Sequence, residues 1–498
     1  MIDRDDGQVI PDYYATNIEN WLIRDRGELE MRKGITARGS SPSQTNLGAG
    51  VLYQAGQPPL HVRVINGAAN SAKFQQSYDN LTWTDISGGG SRTTDRQWHF
   101  VQAANALYAV NGVDTAVKIT TSALSTIAAI PLGNAIEWWK NVLWVFAVDS
   151  VPDRLYYSDA NTPETFGGAS FINVNLGDSS RGVGLKGTAG GTTSATVTGR
   201  LYVGKQRSVW FISGSTSSDF ALNVLTYEHG VVAHESMVNI KNDVWCIDIE
   251  GNIRGLYRSS TDNPFTALRS RDIQLTIAGL NKSALYKSSG VFFDNYAMFF
   301  VANGVDDYNS LVLVWDTLAN EKKGGWIKFT NWNINRAVIF QDSNTPKLFL
   351  HDARVGNGQT YEWAGTADNG IAITAKYETK IYDVGYPAQL KKFKFSYQFA
   401  VAQGSFTTRF YCSVDRFYYV LLASPSMAGT GNKLLGQTWT LGTDKLGAGG
   451  FVKVKIPFNN NGGNNKGTTM QVKLEAESTA NTVKLREFTS HYRVKGLR

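Results

Sequence analysis

The chain has 498 residues, and at about 100 to 200 residues per domain this allows two to four domains, or one large β-domain with additions. Charged residues make up 18%, aromatic residues 12%, and glycine fills 49 positions, a composition short of helix surface and rich in strands and turns that excludes a disordered chain and a long coiled coil. The net charge of +7 is mild, and averaged over the chain it argues neither for nor against nucleic-acid binding, because phosphate contacts depend on clustered lysine and arginine.

From the N-terminus, Met1-Ile2-Asp3-Arg4-Asp5-Asp6 has neither a basic region nor an apolar run, so no secretory signal is expected and the product is expected to fold in the cytosol. Residues 1–50 read as a segment that closes or braces the structure that follows, with a polar loop near 38–46. From residue 51 onward short apolar-polar alternations recur and stripes of helical length are absent, the pattern of an all-β chain. Strands are expected at 60–66, 106–111, 142–148, 200–204, 243–249, 296–301, 311–316 and 347–351. Turn residues that tolerate positive φ follow several of them, as at Asn66-Gly67, Asn111-Gly112, Glu250-Gly251-Asn252 and Asn303-Gly304. The stretch from Trp138 to Val148 is the longest apolar run, but Lys140 and Asn141 interrupt it and it falls short of the ~20 residues a membrane span needs.

Landmarks on the expected inner strands, Tyr108, Trp144, Tyr202, Trp245, Phe299 and Phe349, recur at intervals of roughly 36 to 58 residues, the footprint of propeller blades. Counting an earlier unit near 60–86, residues 51–370 are expected to form a β-propeller of about seven blades, with six to eight allowed. Longer alternations at 373–381, 392–402, 406–414, 451–457, 470–476 and 483–494 then suit a C-terminal β-sandwich over 371–498, interrupted by a polar loop at 459–467.

Chemistry-bearing motifs are sparse. Cys246 and Cys412 form neither a disulfide framework nor a zinc pattern and read as buried thiols. His229 and His234 are spaced i, i+5, which does not fit a helical zinc site, and read as ordinary histidines of a strand and turn. The glycine-rich run 184–191 lacks the Gly-Lys-Ser/Thr ending of a phosphate loop, and 181–198 reads as a long loop. No catalytic, cofactor-binding or metal-ligating residue is expected. Ser77-Tyr78-Asp79-Asn80-Leu81-Thr82-Trp83 resembles the Asp-box turn of sialidases and other propellers without its glycine, and such a turn is structural. A sialidase would further need three arginines around a carboxylate pocket and a Tyr-Glu pair. Basic residues cluster at Lys391, Lys392 and Lys394 and again along Lys484, Arg486, Arg493, Lys495 and Arg498, either a solvated strand face or a patch for phosphates or an acidic partner.

Three stretches resemble the β-propeller tail hub and nozzle proteins of short-tailed bacteriophages. The first runs from Asn17-Ile18 through Gly27, Leu29, Arg32 and Gly34, with Lys33 where proline often stands. The second is Asp153-Arg154-Leu155-Tyr156-Tyr157-Ser158-Asp159 with Pro163 and Phe166. The third is Val209-Trp210-Phe211-Ile212, then Gly230-Val231-Val232-Ala233-His234-Glu235-Ser236, then the strand ending Glu250-Gly251. The resemblance implies a non-enzymatic virion protein that forms a ring, a homohexamer, extends the DNA channel below the portal and adaptor, and takes part in genome retention and ejection. Its implied partners are further copies of itself, adaptor or portal-side proteins, tail fibre, spike or needle proteins, and phage DNA in transient contact. Lys391, Lys392, Lys394, Arg493 and Lys495 are the candidates for facing a partner or DNA, and no cofactor is implied. A carbohydrate- or receptor-binding propeller is the alternative, with a glycoside hydrolase behind it; 13 tryptophans leave room for a sugar site, though Trp144, Trp210, Trp245 and Trp315 lie in apolar strands that suit a core.

Overall fold

The structure, a computed structural model of the chain, describes residues 1–3, 10, 14–24, 28–67, 71–88, 92–121, 123–188, 199–256, 267–319, 323–342, 345–401, 405–416, 418–428, 432–433, 445–446, 451–458, 465–479 and 483–494. Alternating apolar residues paired across tight turns build seven antiparallel units of four strands among the described residues, six running outward in chain order from an innermost strand and the seventh taking its outer strand from the N-terminal residues. The innermost strands are Asn46–Leu52, His99–Ala103, Gly133–Trp139, Gly182–Gly187, Val238–Ile240, Ser289–Phe293 and Ile334–Asp342. Each packs against the next, and the seventh returns to the first, closing the ring of a β-propeller.

The aromatic landmarks Tyr108, Trp144, Tyr202, Trp245, Phe299 and Phe349 are all on the second strand, an inner strand, of blades 2 to 7. That position has a physical cause. A second strand is flanked by strands on both edges and by blades on both faces, so it is buried throughout, as in Val142–Val148 and Tyr296–Ala302. The seams between blades 1 and 2, 2 and 3, 3 and 4, and 4 and 5 each hold an apolar cluster, while one larger cluster runs from blade 5 through blades 6 and 7 into the C-terminal region.

Blade 7 completes its fourth position with Thr36–Arg38, which pairs with Thr360–Glu362. Residues near 1–50 therefore do close the ring, but the innermost strand of blade 1 starts at Asn46, inside the stretch assigned to that segment. Beyond blade 7 the chain forms two further sheets packed on a shared core that includes Phe393, Phe406, Phe410, Ile456 and Leu474. The first has the order Ala15–Glu19, Ile373–Thr379, Met470–Ser478, Ser405–Val414, Val420–Ala423, and continues blade 6 where Glu19 pairs in parallel with Lys328. The second has the order Trp21–Ile23, Leu29–Met31, Lys484–Val494, Lys391–Val401, Phe451–Pro457. The N-terminal residues thus give strands to both sandwich sheets and to blade 7. No helix among the described residues is long and apolar enough to cross a membrane.

The seam between blades 7 and 1 is held mainly by polar groups. His61 Nδ1 is 2.6 Å from Asn80 Oδ1, the Nε2 atoms of His61 and His351 are 3.0 Å apart, and Thr360 Oγ1 is 3.3 Å from His351 Nδ1. Arg63 donates to Thr360 Oγ1 at 3.1 Å and lies 4.1 Å from the Trp83 ring. One direction of donation satisfies every member: Arg63 to Thr360, Thr360 to His351, His351 to His61, His61 to Asn80. Asn80 and Trp83 belong to the Asp-box-like turn, whose Asp79 accepts from the amides of Leu81 and Thr82 at 2.8 Å and from Ser77 Oγ at 2.9 Å.

Candidate functional site

Near the propeller axis ionisable side chains gather, with His99, His234 and Arg336 buried and Glu235 partly exposed. His99 starts the innermost strand of blade 2, Arg336 lies near the start of that of blade 7, and His234 and Glu235 occupy a short 3-10 turn, His234–Ser236, that leads into blade 5. Glu235 reaches across the axis, with Oε1 2.9 Å from His99 Nδ1 and Oε2 2.6 Å from Arg336 Nη1. His234 Nδ1 accepts from the Leu185 amide at 3.2 Å, and its ring meets that of His99 edge-on at 5.0 Å. Nearby, Lys186 Nζ lies 3.5 Å from Glu137 Oε2. Side chains from blades 2, 5 and 7 thus meet at hydrogen-bond distance.

Charges in this cluster are mutually neutralised. Burial opposes ionisation of Glu235, but Arg336 and then His99 outweigh it and hold the carboxyl well below the usual carboxylate range. Burial lowers His99 and takes His234 down to about 3, so both imidazoles are neutral. Burial raises the Glu137 carboxyl, whereas Glu137 raises the Lys186 ammonium. His99, His234 and Glu235 are ligand-type groups within 4.8 Å of one another, but the Arg336 guanidinium already supplies the positive charge that a metal ion would bring. The arrangement is an ionic lock across the ring. The sequence reads His234 as an ordinary histidine of a strand and turn and gives no role to Glu235 beside it or to His99 and Arg336, which lie far away in the chain.

The motif residues carried by the phage resemblance are structural nodes. Arg32 is buried and forks onto Asp368 at 2.8 and 2.6 Å, donates from Nε to Asn20 Oδ1 at 2.8 Å, and lies 4.7 Å from the Trp332 ring. Gly34 passes so close to the next segment that a Cβ would overlap the Ala367 oxygen. Leu29 pairs with Ile23 and Leu485 in the second sandwich sheet. Gly230 passes equally close to the carbonyl of Lys205, the buried cation that ties Asp153 and Asp178 at 2.7 and 2.6 Å. Ser236 Oγ donates to the Ala233 carbonyl at 2.7 Å, and Gly251 sits at φ +85 in a turn capped by Asp248. Gly27 lies outside the described residues.

The candidate basic residues separate. Lys391 is a correction: its side chain is buried, and its ammonium donates to the carbonyls of Tyr386, of Thr468 at 2.8 Å and of Gln389 at 3.1 Å, so it cannot face a partner. Lys484 and Arg486 are paired with Glu30 at 3.4 Å and Glu28 at 2.8 Å. Lys392, Lys394 and Arg493 are exposed, and Lys392 is directly opposite Arg493 on adjacent strands. Lys495 lies outside the described residues.

A groove of about 600 Å³ beside blade 2 contains a Tyr-Glu pair, with Tyr108 Oη donating to Glu164 at 2.7 Å. Burial and Glu164 raise the phenol, which works against a phenolate nucleophile, and no arginine is found among the described residues lining the groove. The run 181–198, expected as loop, begins with the innermost strand of blade 4, Gly182–Gly187, and its residues 189–198 lie outside the described residues. Cys246 and Cys412 are buried thiols, the latter pushed up to about 12 by burial.

No family model and no curated protein matches the sequence. Solved structures are similar to the chain at low identity. Raptor from Chaetomium thermophilum is 11% identical with a TM-score of 0.43 over 67% of this chain, which spans 28% of the Raptor chain. YCF48 from Cyanidioschyzon merolae is 10% identical with a TM-score of 0.39, covering 66% of this chain and 98% of its own. BBS1N, solved in complex with ARL6DN, is 11% identical with a TM-score of 0.41, covering 70% of this chain and 99% of its own. At this distance the likeness concerns the fold alone.

Proposed function

We propose that the protein is a structural ring component of a short-tailed bacteriophage tail, a hub or nozzle located in the virion and made in the host cytoplasm. The ionic lock is the observation that carries this reading: His99, Glu235 and Arg336 join blades 2, 5 and 7 to one another, which suits a propeller that works through its sides and its sandwich. Any DNA channel is then formed between copies arranged in a ring, a homohexamer, and does not run through a single propeller. The nodes at Arg32, Gly34 and Gly230 stiffen the block, which suits a component that transmits load between neighbours. Side-to-side contacts under cyclic symmetry are heterologous and close the ring. The expected partners are adaptor or portal-side proteins above, fibre, spike or needle proteins beside or below, and DNA in passage.

A carbohydrate- or receptor-binding propeller is the second reading. The partly exposed rings of Phe395, Tyr397 and Phe399 favour it, since sugars stack on aromatic faces, but lysine ammonium groups cover those rings. Immunoelectron microscopy of short-tailed virions with antibody raised against this chain separates the two. Label at the tail below the portal is expected. Unlabelled particles, together with retention of the pure protein on polysaccharide, would overturn the tail assignment.

A further inference from the structure

The outward face of the second sandwich sheet has a pattern that the fold does not require. Along Lys391–Val401 a register shift between Phe393 and Phe395 turns the strand, after which Phe395, Tyr397 and Phe399 share one half-exposed face. On the adjacent strand Phe451–Pro457, Lys453 and Lys455 are exposed on the same side. Lys453 Nζ lies 4.0 Å from the Tyr397 ring centroid, and Lys455 Nζ lies 4.3 Å from that of Phe395. His491 packs against Phe395 from the other flank at 4.5 Å. Lys392, Lys394 and Arg493 extend the face beyond the bulge.

Lys453 and Lys455 are held by rings, not by carboxylates. None of Lys392, Lys394, Lys453, Lys455 and Arg493 forms an ion pair among the described residues, and the acidic side chain on this face, Glu487, accepts from Thr489 Oγ1 at 2.7 Å. A cation–π contact positions an ammonium without cancelling its charge. Placing Lys392 directly opposite Arg493, and Lys453 two residues from Lys455, costs free energy through like-charge repulsion that no ion pair among the described residues relieves. A polyanion relieves it.

We propose that this sheet face is a docking surface for the phosphate backbone of duplex DNA. The occupant is set by which atoms point outward. The ring faces of Phe395 and Tyr397 are covered by lysines on one side and flanked by His491, so no bare platform is left for stacking unpaired bases, whereas the ammonium groups stand outermost. A flat, basic, regularly spaced face contacts phosphates without reading sequence. Such contact is weak and readily released, as a surface that DNA slides past requires. The inference deepens the tail reading, resting on it only for DNA as the natural cargo, and it is tested on the single chain, so a failure of ring assembly and a failure of this surface are separate results.

The test is fluorescence anisotropy of a labelled duplex of arbitrary sequence titrated with the full chain across salt concentrations. Binding is expected to weaken with salt along a log–log slope of about −3 to −5, each phosphate contact adding about −0.9. The double substitution Lys453→Glu with Lys455→Glu is expected to weaken binding at least tenfold and make the slope shallower by about 2. Lys453→Gln with Lys455→Gln should do the same more mildly and keeps the test open if reversal disturbs folding, while Lys73→Glu on blade 1 should have no effect. Absence of duplex binding, a salt-independent affinity, tighter binding to single strands than to duplex, equal displacement by an acidic polypeptide at matched charge, or unaltered affinity in both lysine pairs would each overturn the proposal.

Discussion

Arg32 is a full charge in the interior, and it stays because its fork meets both oxygens of Asp368 while Asn20, the Thr330 carbonyl and the Trp332 ring take up its remaining surface. Those partners come from the N-terminal residues, the end of blade 6 and the chain after blade 7, so this one side chain ties three parts of the molecule. Arg32→Leu would leave the Asp368 carboxylate buried without its counter-charge, and the expected loss is about 3 to 5 kcal/mol, read as a lowered denaturation midpoint. Arg32→Lys should recover only part of it, because a point charge cannot span both oxygens. At Gly34 the limit is steric, since a methyl group would overlap the Ala367 oxygen, and Gly34→Ala is expected to destabilise by several kcal/mol on the order of other overpacking substitutions. Resemblance drew attention to both positions, but their partners were not legible: Asp368 is remote in sequence, and nothing local announces a buried ion pair. The same holds for His99, Glu235 and Arg336, brought together only by ring closure.

Elements were legible where burial imposes a pattern. Strands such as Leu60–Asn66, Val142–Val148 and Phe451–Pro457 fall where alternation or a continuous apolar run places them. Gly182–Gly187 was misread because its glycines follow from crowding: a Cβ at Gly182 would lie 2.6 Å from the Phe146 ring and one at Gly187 2.8 Å from Trp139. The cationic and aromatic sheet face was present as alternation in 393–399 and 451–457, and needed the pairing of the two strands to become one surface. The seam of blades 7 and 1 makes a pH prediction. Burial first, then Arg63, hold His61 at about 4 against Asn80, and burial with His61 and Arg63 keeps His351 well below 6.5. Both fold neutral, because a proton added to His61 would set two Nε2–H groups against each other, and one added to His351 would occupy the Nδ1 that accepts from Thr360. Above 6.5, the ordinary value, their contribution is complete; as pH falls from there toward about 4 the unfolded chain binds protons that the native chain does not, and stability drops. The expected decrease between pH 7 and pH 5 is on the order of 2 kcal/mol for each of the two histidines in denaturant unfolding, and is reduced in His61→Gln. An unchanged midpoint would show that the seam does not depend on neutral imidazoles.

For the whole molecule, the consequence of the topology is that propeller and sandwich are stapled by the same N-terminal residues. Ala15–Glu19 joins blade 6 to one sandwich sheet, Trp21–Ile23 and Leu29–Met31 extend the other, and Thr36–Arg38 closes blade 7. Removing residues 1–40 is therefore expected to lower the thermal midpoint of both regions together and to collapse the expressed yield, whereas a sandwich independent of the propeller would keep its own transition. A block held in this way, with its inner strands bridged by Glu235 and a basic patch on one sandwich face, suits a rigid ring subunit. The most direct test is the mass of the purified full chain by light scattering, alone and with a portal–adaptor complex. The tail assignment predicts a single chain that assembles on the adaptor into a ring of about six copies. A chain that stays monomeric in the presence of every tail component would contradict it.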